Sequence, residues 1–120
     1  MVRVDPAVDA IVPADVVVEK VGDGFGFLEG PVWVHAKGQG YLLFSDIPAN
    51  VIRKWDPKAR FSVFLEKSGF TGTDASDLGG QSNNGKEVVT LIGSNGITID
   101  RQGRIVYCQH GDRQVVRCFV

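Results

Sequence analysis

The chain has 120 residues, of which 43% are hydrophobic and 22% charged, proportions typical of a globular domain. Its net charge of −1 gives no electrostatic reason to expect nucleic acid or an anionic membrane as a partner. No apolar run approaches the ~18 residues of a membrane-spanning helix, and the charged first ten residues lack the apolar core of a secretory signal. A cytoplasmic location is therefore expected, with a periplasmic one left open.

The fifteen glycines and five prolines fall between short apolar runs, a distribution typical of an all-β chain with frequent turns. Residues 1–13, which include Pro6 and Pro13, are predicted to form an irregular N-terminal arm before the domain proper at 14–120. The β-branched segment 15–21 is predicted to be a strand without a partner in this chain. No segment of ten or more residues has helical periodicity.

Further strands are predicted in two groups on either side of a glycine-rich stretch. The first group covers 28–35, 41–46, 51–55 and 61–66, and the second covers 87–92, 97–100, 103–109 and 114–120. The stretch 68–86 between them is predicted to be a long surface loop without regular structure. Loops of this length are uncommon and are often functional or disordered.

The second half of the chain repeats part of the first. The matching pairs are 29–33 with 95–99, 41–46 with 104–109, and 51–55 with 114–118, and the last two pairs lie 63 positions apart. Four antiparallel strands form one blade of a β-propeller, so the repeat predicts a propeller of which this chain covers about the first two blades. Because about four blades or more are needed to close a ring, we expect the natural protein to be longer.

Glu29 and Asn95 are the candidate metal ligands, since each heads the first strand of its repeat. The innermost strands of a propeller line its central channel, so both side chains are expected to converge there. Carboxylate and amide oxygens are hard donors suited to Ca²⁺, Mg²⁺ or Mn²⁺. Two other interpretations stay open: Asn95-Gly96 is also a common turn dipeptide, and Glu29 could be an exposed loop acid.

The histidines and cysteines give weaker signals. His110 lies in the turn after 103–109, either at the rim of the channel or simply in solvent, and His35 is expected to be exposed. Cys108 and Cys118 are predicted to face opposite sides of a hairpin, where a disulfide would have poor geometry, so both are expected to be reduced and at least half-buried. No Gly-x-Ser-x-Gly motif indicates a serine hydrolase.

Five motifs occur in an order shared with a known family. They are 27–33 (Phe-Leu-Glu-Gly-Pro-Val-Trp), 42–50 (Leu-Leu-Phe-Ser-Asp-Ile-Pro-Ala-Asn), 54–57 (Lys-Trp-Asp-Pro), 94–104 (Ser-Asn-Gly-Ile-Thr-Ile-Asp-Arg-Gln-Gly-Arg) and 110–113 (His-Gly-Asp-Arg). Together they resemble the SMP-30/gluconolactonase family from about residue 21 onward, apart from 68–86. The resemblance implies a six-bladed β-propeller with one divalent cation in its channel, Ca²⁺ in the first place, with Zn²⁺, Mg²⁺ or Mn²⁺ as alternatives.

The resemblance also implies a hydrolase that opens a small sugar lactone with the help of this cation. Glu29 would be a metal ligand, Asn95 would lie by the metal and the substrate, and His110 would contact the substrate. Relatives often carry a Glu before this histidine, whereas Gln109 stands here, which puts an acid role at that position in doubt. The remaining ligands and the general base would follow Val120, so the chain alone is expected to be inactive.

Two alternative functions share the same architecture. One is a propeller that binds calcium or a sugar without catalysis, since a fold does not fix a function. The other is a propeller similar to strictosidine synthase, which performs a condensation with a catalytic Glu in place of a full set of metal ligands.

Overall fold

The computed structural model describes residues 4–78, 80–83 and 87–118. These residues form an all-β structure with one short 3₁₀ helix, Pro6–Ala10, which confirms the predicted fold class at this level. The strands are β1 Leu28–Val34, β2 Tyr41–Asp46, β3 Val51–Asp56, β4 Arg60–Glu66, β5 Gly80–Asn83, β6 Glu87–Thr90, β7 Ser94–Ile99, β8 Ile105–Gln109 and β9 Gln114–Cys118. Over the described residues, no helix has the length and hydropathy that crossing a membrane requires.

Strands β1 to β4 form one antiparallel sheet in chain order, joined by short connections at 35–40, 47–50 and 57–59. Their bounds match the predicted strands to within about a residue at each end. β1 carries a bulge between Glu29 and Val32, where its register against β2 shifts. Gly30 lies in the left-handed region with φ +59, and Pro31 has no N–H for the ladder, so these two residues explain the bulge.

Strands β7 to β9 form a three-stranded sheet that repeats the first three strands of the first sheet. Its first pair, Ser94 with Gln109, corresponds to Leu28 with Asp46, and each first strand carries a bulge, which begins one residue earlier in β7, after Ser94, than in β1, after Glu29. The repeat seen in the sequence is therefore a repeat in three dimensions, including its irregularity.

The core lies between these two sheets. Five buried side chains form one cluster: Leu43, Ile52, Ile97, Ile105 and Tyr107. Each aliphatic side chain of this kind contributes about 1.5–3 kcal/mol through its burial. Because members of both sheets share the cluster, the sheets are packed as one unit and β1 runs beside β7.

The N-terminal region differs from its prediction. Residues 15–21 are not a strand: Val17 and Val18 are each 82% exposed. β-propensity alone does not make a strand, which also needs a ladder partner and a face to bury. Pro6–Ala10, predicted to be irregular, is a 3₁₀ helix whose first turn is capped by the Asp5 carboxylate, which accepts the Ala7 amide at 2.7 Å. The domain boundary at residue 13 stays a prediction.

The predicted loop 68–86 contains regular structure, so that prediction was wrong in part. β5 pairs with β6 in a two-stranded antiparallel sheet, from Gly80 with Thr90 to Asn83 with Glu87. Polar, glycine-containing strands of this kind lack the apolar alternation that signals a strand in a sequence. Residues 79 and 84–86 of that prediction lie outside the described part of the chain.

The cysteine geometry follows the predicted hairpin. Cys108 pairs with Val115 and Cys118 with Ile105, and both thiols are free. Cys108 is exposed, which corrects the expectation that both would be at least half-buried. Cys118 is half-buried, and burial raises the pKa of its thiol, so it stays protonated at neutral pH.

Candidate functional site

Glu29 and Asn95 are brought together by the contact between β1 and β7. Gly30 packs on the backbone of the second bulge: a Cβ at this position would meet Asn95 O, and would lie 2.8 Å from Ile97 N and 3.0 Å from Gly96 Cα. Both candidate ligands have exposed side chains. The structure thus places the two strand heads side by side at the seam between the sheets, as the repeat predicted.

His110 lies at the same end of the second sheet as Asn95. It follows Gln109, which pairs with Ser94, and its backbone N–H donates to Gly93 O at 3.3 Å. Its side chain is exposed, as is that of His35. The prediction that His110 occupies a turn after the second strand is confirmed, whereas its contact with a substrate stays a prediction.

Three serines meet beneath the seam, and their side chains are all 0% exposed. Ser45 Oγ and Ser94 Oγ are 2.7 Å apart, and Ser94 Oγ donates to Ser68 Oγ at 2.9 Å. Ser68 Oγ also accepts the Ser94 amide at 3.1 Å, while Ser45 Oγ donates to Asn95 O at 2.8 Å. This network was not predicted from the sequence, because the meeting of its members depends on the packing of separate sheets.

Asp46 is the buried carboxylate nearest the head of β1, and its oxygens are already engaged. It is 2% exposed, and Arg53 donates to its Oδ2 from Nε at 3.2 Å and from Nη2 at 3.0 Å. Its Oδ1 accepts the Gly26 amide at 3.2 Å. Breaking a buried pair of this kind costs several kcal/mol, about 3–5, so Asp46 is a structural residue that ties the segment around Gly26 to the sheet.

A connector, which we define as residues 68–71, joins the turns at the site end of both sheets. Asn50, from the turn between β2 and β3, donates to Phe70 O at 2.8 Å and accepts the amides of Gly69 at 2.8 Å and Phe70 at 3.1 Å. Asp112, next to His110 in the other turn, accepts from Thr71 N at 3.1 Å and Thr71 Oγ1 at 2.9 Å. The connector therefore fixes the two turns relative to each other.

Two cavities open beside the candidate residues. One, of about 290 Å³, has Glu29 in its wall together with three aromatic rings, those of Phe25, Phe44 and Phe61. The other, of about 550 Å³, is lined by His110, with Cys108 and Arg113 beside it. Both are open to small molecules; the first has mainly apolar walls, and the walls of the second are polar and apolar in about equal parts.

Glu29 and Asn95 supply the kind of oxygen donor that a hard divalent cation binds, but they are too few to fill its coordination shell. A carboxylate and an amide oxygen are donors that Ca²⁺ accepts, but Ca²⁺ takes about six to eight oxygens. In the described ranges, no group of three or more His, Cys, Asp or Glu side chains could hold a metal ion. Glu29 and Asn95 are therefore suited to form part of a metal site and not the whole of one.

The chain is an all-β protein built from repeated antiparallel sheets, whose first strands lie side by side. Two solved structures share this fold. A gluconolactonase from Xanthomonas campestris, described as important in glucose secondary metabolic pathways, superimposes with a TM-score of 0.57 at 24% identity, over 82% of this chain and 25% of its own. A structural-genomics protein provisionally named a gluconolactonase superimposes with a TM-score of 0.63 at 23% identity, over 92% of this chain and 30% of its own.

The sequence comparison adds a curated relative. The chain is 35% identical over 115 residues, or 96% of its length, to the gluconolactonase of Zymomonas mobilis subsp. mobilis. It is therefore a relative of the gluconolactonases, which confirms the resemblance that its motifs predicted. The chain spans 29% of the length of that protein. No family model matches the chain.

Proposed function

We propose that this chain forms part of a metal-dependent hydrolase that opens a sugar lactone. The observation that carries the proposal is the contact of Gly30 with the Asn95 backbone, which puts Glu29 and Asn95 at the seam of two sheets in a chain 35% identical to a gluconolactonase. Since the chain spans 29% of that relative, the proposal includes further sheets that complete a six-bladed propeller around the site.

In this proposal Glu29 and Asn95, both exposed, hold the cation, Ca²⁺ in the first place, through their side-chain oxygens. When bound, a divalent cation polarises a carbonyl group such as that of a lactone. His110, exposed at the same end of the sheet, is proposed to donate a hydrogen bond to a substrate hydroxyl.

The general base is proposed to lie outside this chain. Gln109 occupies the position before His110, is 6% exposed, and its Oε1 accepts from Gln114 Nε2 at 2.6 Å. A neutral, buried and engaged amide does not take a proton. Asp46 is held by Arg53, so a carboxylate from another part of the protein is needed to activate water.

The test is lactone hydrolysis by the complete natural protein that carries this chain, measured by acid release from glucono-1,5-lactone. Hydrolysis should be lost with a chelator and restored by Ca²⁺, and Glu29→Gln should lower kcat/KM by about 100-fold or more, because a charged ligand is replaced by a neutral one. The 120-residue chain alone should be inactive.

Glu19→Gln is a matched control, because Glu19 is an exposed acid two residues before Val21, whose carbonyl accepts from Arg60 at the end of the sheet opposite the head of β1. Its variant should keep the activity of the natural protein. Hydrolysis that survives the chelator would contradict the metal role. Calcium binding without hydrolysis would instead favour a non-catalytic propeller, and a condensation activity would favour one similar to strictosidine synthase.

A further inference from the structure

One of the buried serines hydrogen-bonds the peptide that the bulge in β7 leaves unpaired. In β7 the ladder runs from Ser94 with Gln109 directly to Ile97 with Tyr107, so Asn95 and Gly96 have no partner in the register with β8. A bulge leaves its extra residue unpaired, and the direction of that peptide must be set by something else. The donor that reaches Asn95 O is the Ser45 hydroxyl, at 2.8 Å.

Ser45 also adjoins the other candidate ligand. Its backbone is the ladder partner of Glu29, next to the bulge of β1. One residue of β2 therefore pairs with the first strand head and hydrogen-bonds the second. Neither contact uses the exposed oxygens of Glu29 or Asn95, which stay available to a ligand.

The remaining serines surround the Ser45 hydroxyl. A buried hydroxyl without a partner costs about 1–3 kcal/mol, and each of the three at 0% exposure has one: Ser45 donates to Asn95 O, Ser94 donates to Ser68 Oγ, and Ser68 Oγ also accepts the Ser94 amide. Ser94 lies 2.7 Å from Ser45 and passes the network on to Ser68, the first residue of the connector. Packing alone would be served as well by alanine, which indicates that direction is what the hydroxyls provide.

We infer that Ser45 is a positioning residue of the candidate metal site, which sets the Asn95 peptide relative to Glu29. Ser94 packs against the Ser45 hydroxyl at 2.7 Å while its own proton goes to Ser68, and the Ser45 proton goes to Asn95 O. The inference rests on the proposed function, since it assigns a role toward the same cation. It adds a residue that touches neither the cation nor the substrate and acts through Asn95.

The test is calorimetric titration of the complete natural protein with Ca²⁺. Ser45→Ala removes the donor to Asn95 O and should raise the Kd for Ca²⁺ by about 10- to 100-fold, the loss typical of residues that orient metal ligands. Ser45→Cys keeps nearly the same volume with a weak S–H donor, so it should fold and should also weaken binding. It serves as the second variant if the alanine variant does not fold.

Ile105→Val is the control for stability, because Ile105 is 0% exposed in the core and lies outside the serine network. It should lower the Tm in the same range as Ser45→Ala and leave the Kd unchanged. If both serine variants bind Ca²⁺ as tightly as the natural protein, the inference is overturned. If the natural protein itself binds no Ca²⁺, the proposed metal role fails first, so the two failures are distinguishable.

Discussion

Gly30 sets how closely the two candidate ligands can approach. The backbone of β1 touches the backbone of β7 at this residue, with no side chain between Glu29 and the Asn95-Gly96 peptide. Gly30 also has a positive φ, +59, which other residues adopt at a cost of about 1–2 kcal/mol. Its place in the motif is therefore explained by both the backbone conformation and the contact.

Gly30→Ala should lower the free energy of unfolding by about 2–5 kcal/mol, the sum of the strain at positive φ and the overlap with a fixed backbone. Gly103→Ala is the matched control, since Gly103 has φ +79 and nothing within 4 Å of an added Cβ. It should cost the strain alone. Urea unfolding measures the free energy of unfolding of both variants. Equal losses would show that the contact between Gly30 and β7 does not contribute to stability.

At the scale of residues, the sequence predicted that Glu29 and Asn95 lie near each other, but it did not predict the hydrogen bonds around them. Glu29 and Asn95 could be placed side by side because they occupy equivalent positions in a repeat. The Ser45–Ser94–Ser68 network could not be predicted, since its members come from β2, β7 and the connector and share no local pattern. The metal and substrate roles of Glu29, Asn95 and His110 are still predictions.

Among the elements, those with strong apolar alternation and clear turns were predicted closely. The four strands of the first sheet and β8 are of this kind. The strand predicted at 15–21 was wrong, because a β-branched composition cannot supply a ladder partner. β5 was not predicted, because its residues are polar and include glycine. β7 begins three residues earlier than its predicted start at 97. Its first half was not predicted because serine, asparagine and glycine lack the apolar alternation of a strand.

The connector makes a prediction at the scale of elements. Asp112→Ala removes the acceptor for Thr71 N and Thr71 Oγ1, at a cost of about 1 kcal/mol for exposed hydrogen bonds of this kind. We expect faster hydrogen exchange at the Thr71 amide and a looser turn at 110–113.

Asp74→Ala is the control, because its carboxylate accepts only a local bond from Ser76 N at 2.9 Å among the hydrogen bonds described for it. This variant should leave the Thr71 amide as protected as before. An Asp112 variant with unchanged exchange at Thr71 would show that the Asp112 side chain does not hold the connector.

The whole molecule combines one shared core with apolar surface that it does not cover. The sheets are joined through the cluster around Leu43 and Ile105, yet Val17, Val18 and Val115 are between 69% and 82% exposed. An exposed β-branched run with unpaired backbone groups is a template for pairing with another chain. In the complete protein we expect further strands to cover these side chains.

The 120-residue chain by itself should therefore self-associate. Val17→Thr with Val18→Thr should raise the concentration at which association begins, by roughly an order of magnitude, because about 1–2 kcal/mol of apolar contact is removed. Val4→Thr is the control: Val4 is 94% exposed and does not belong to the run 16–18. Sedimentation velocity measures the effect, and a double variant that associates like the control would contradict it.

The connector has one more consequence, for how the protein tolerates change in length. The chain leaves the site at Thr71, which is fastened to Asp112, and returns at Gly93, whose amide donates to Ile47 O at 2.9 Å. Both ends of the segment 72–92, which carries β5 and β6, are thus anchored on the turns 47–50 and 110–113. Residues can be added or removed between these two anchors while Glu29 and Asn95 stay where they are. This stretch is the natural place to graft a foreign peptide or a reporter into the molecule.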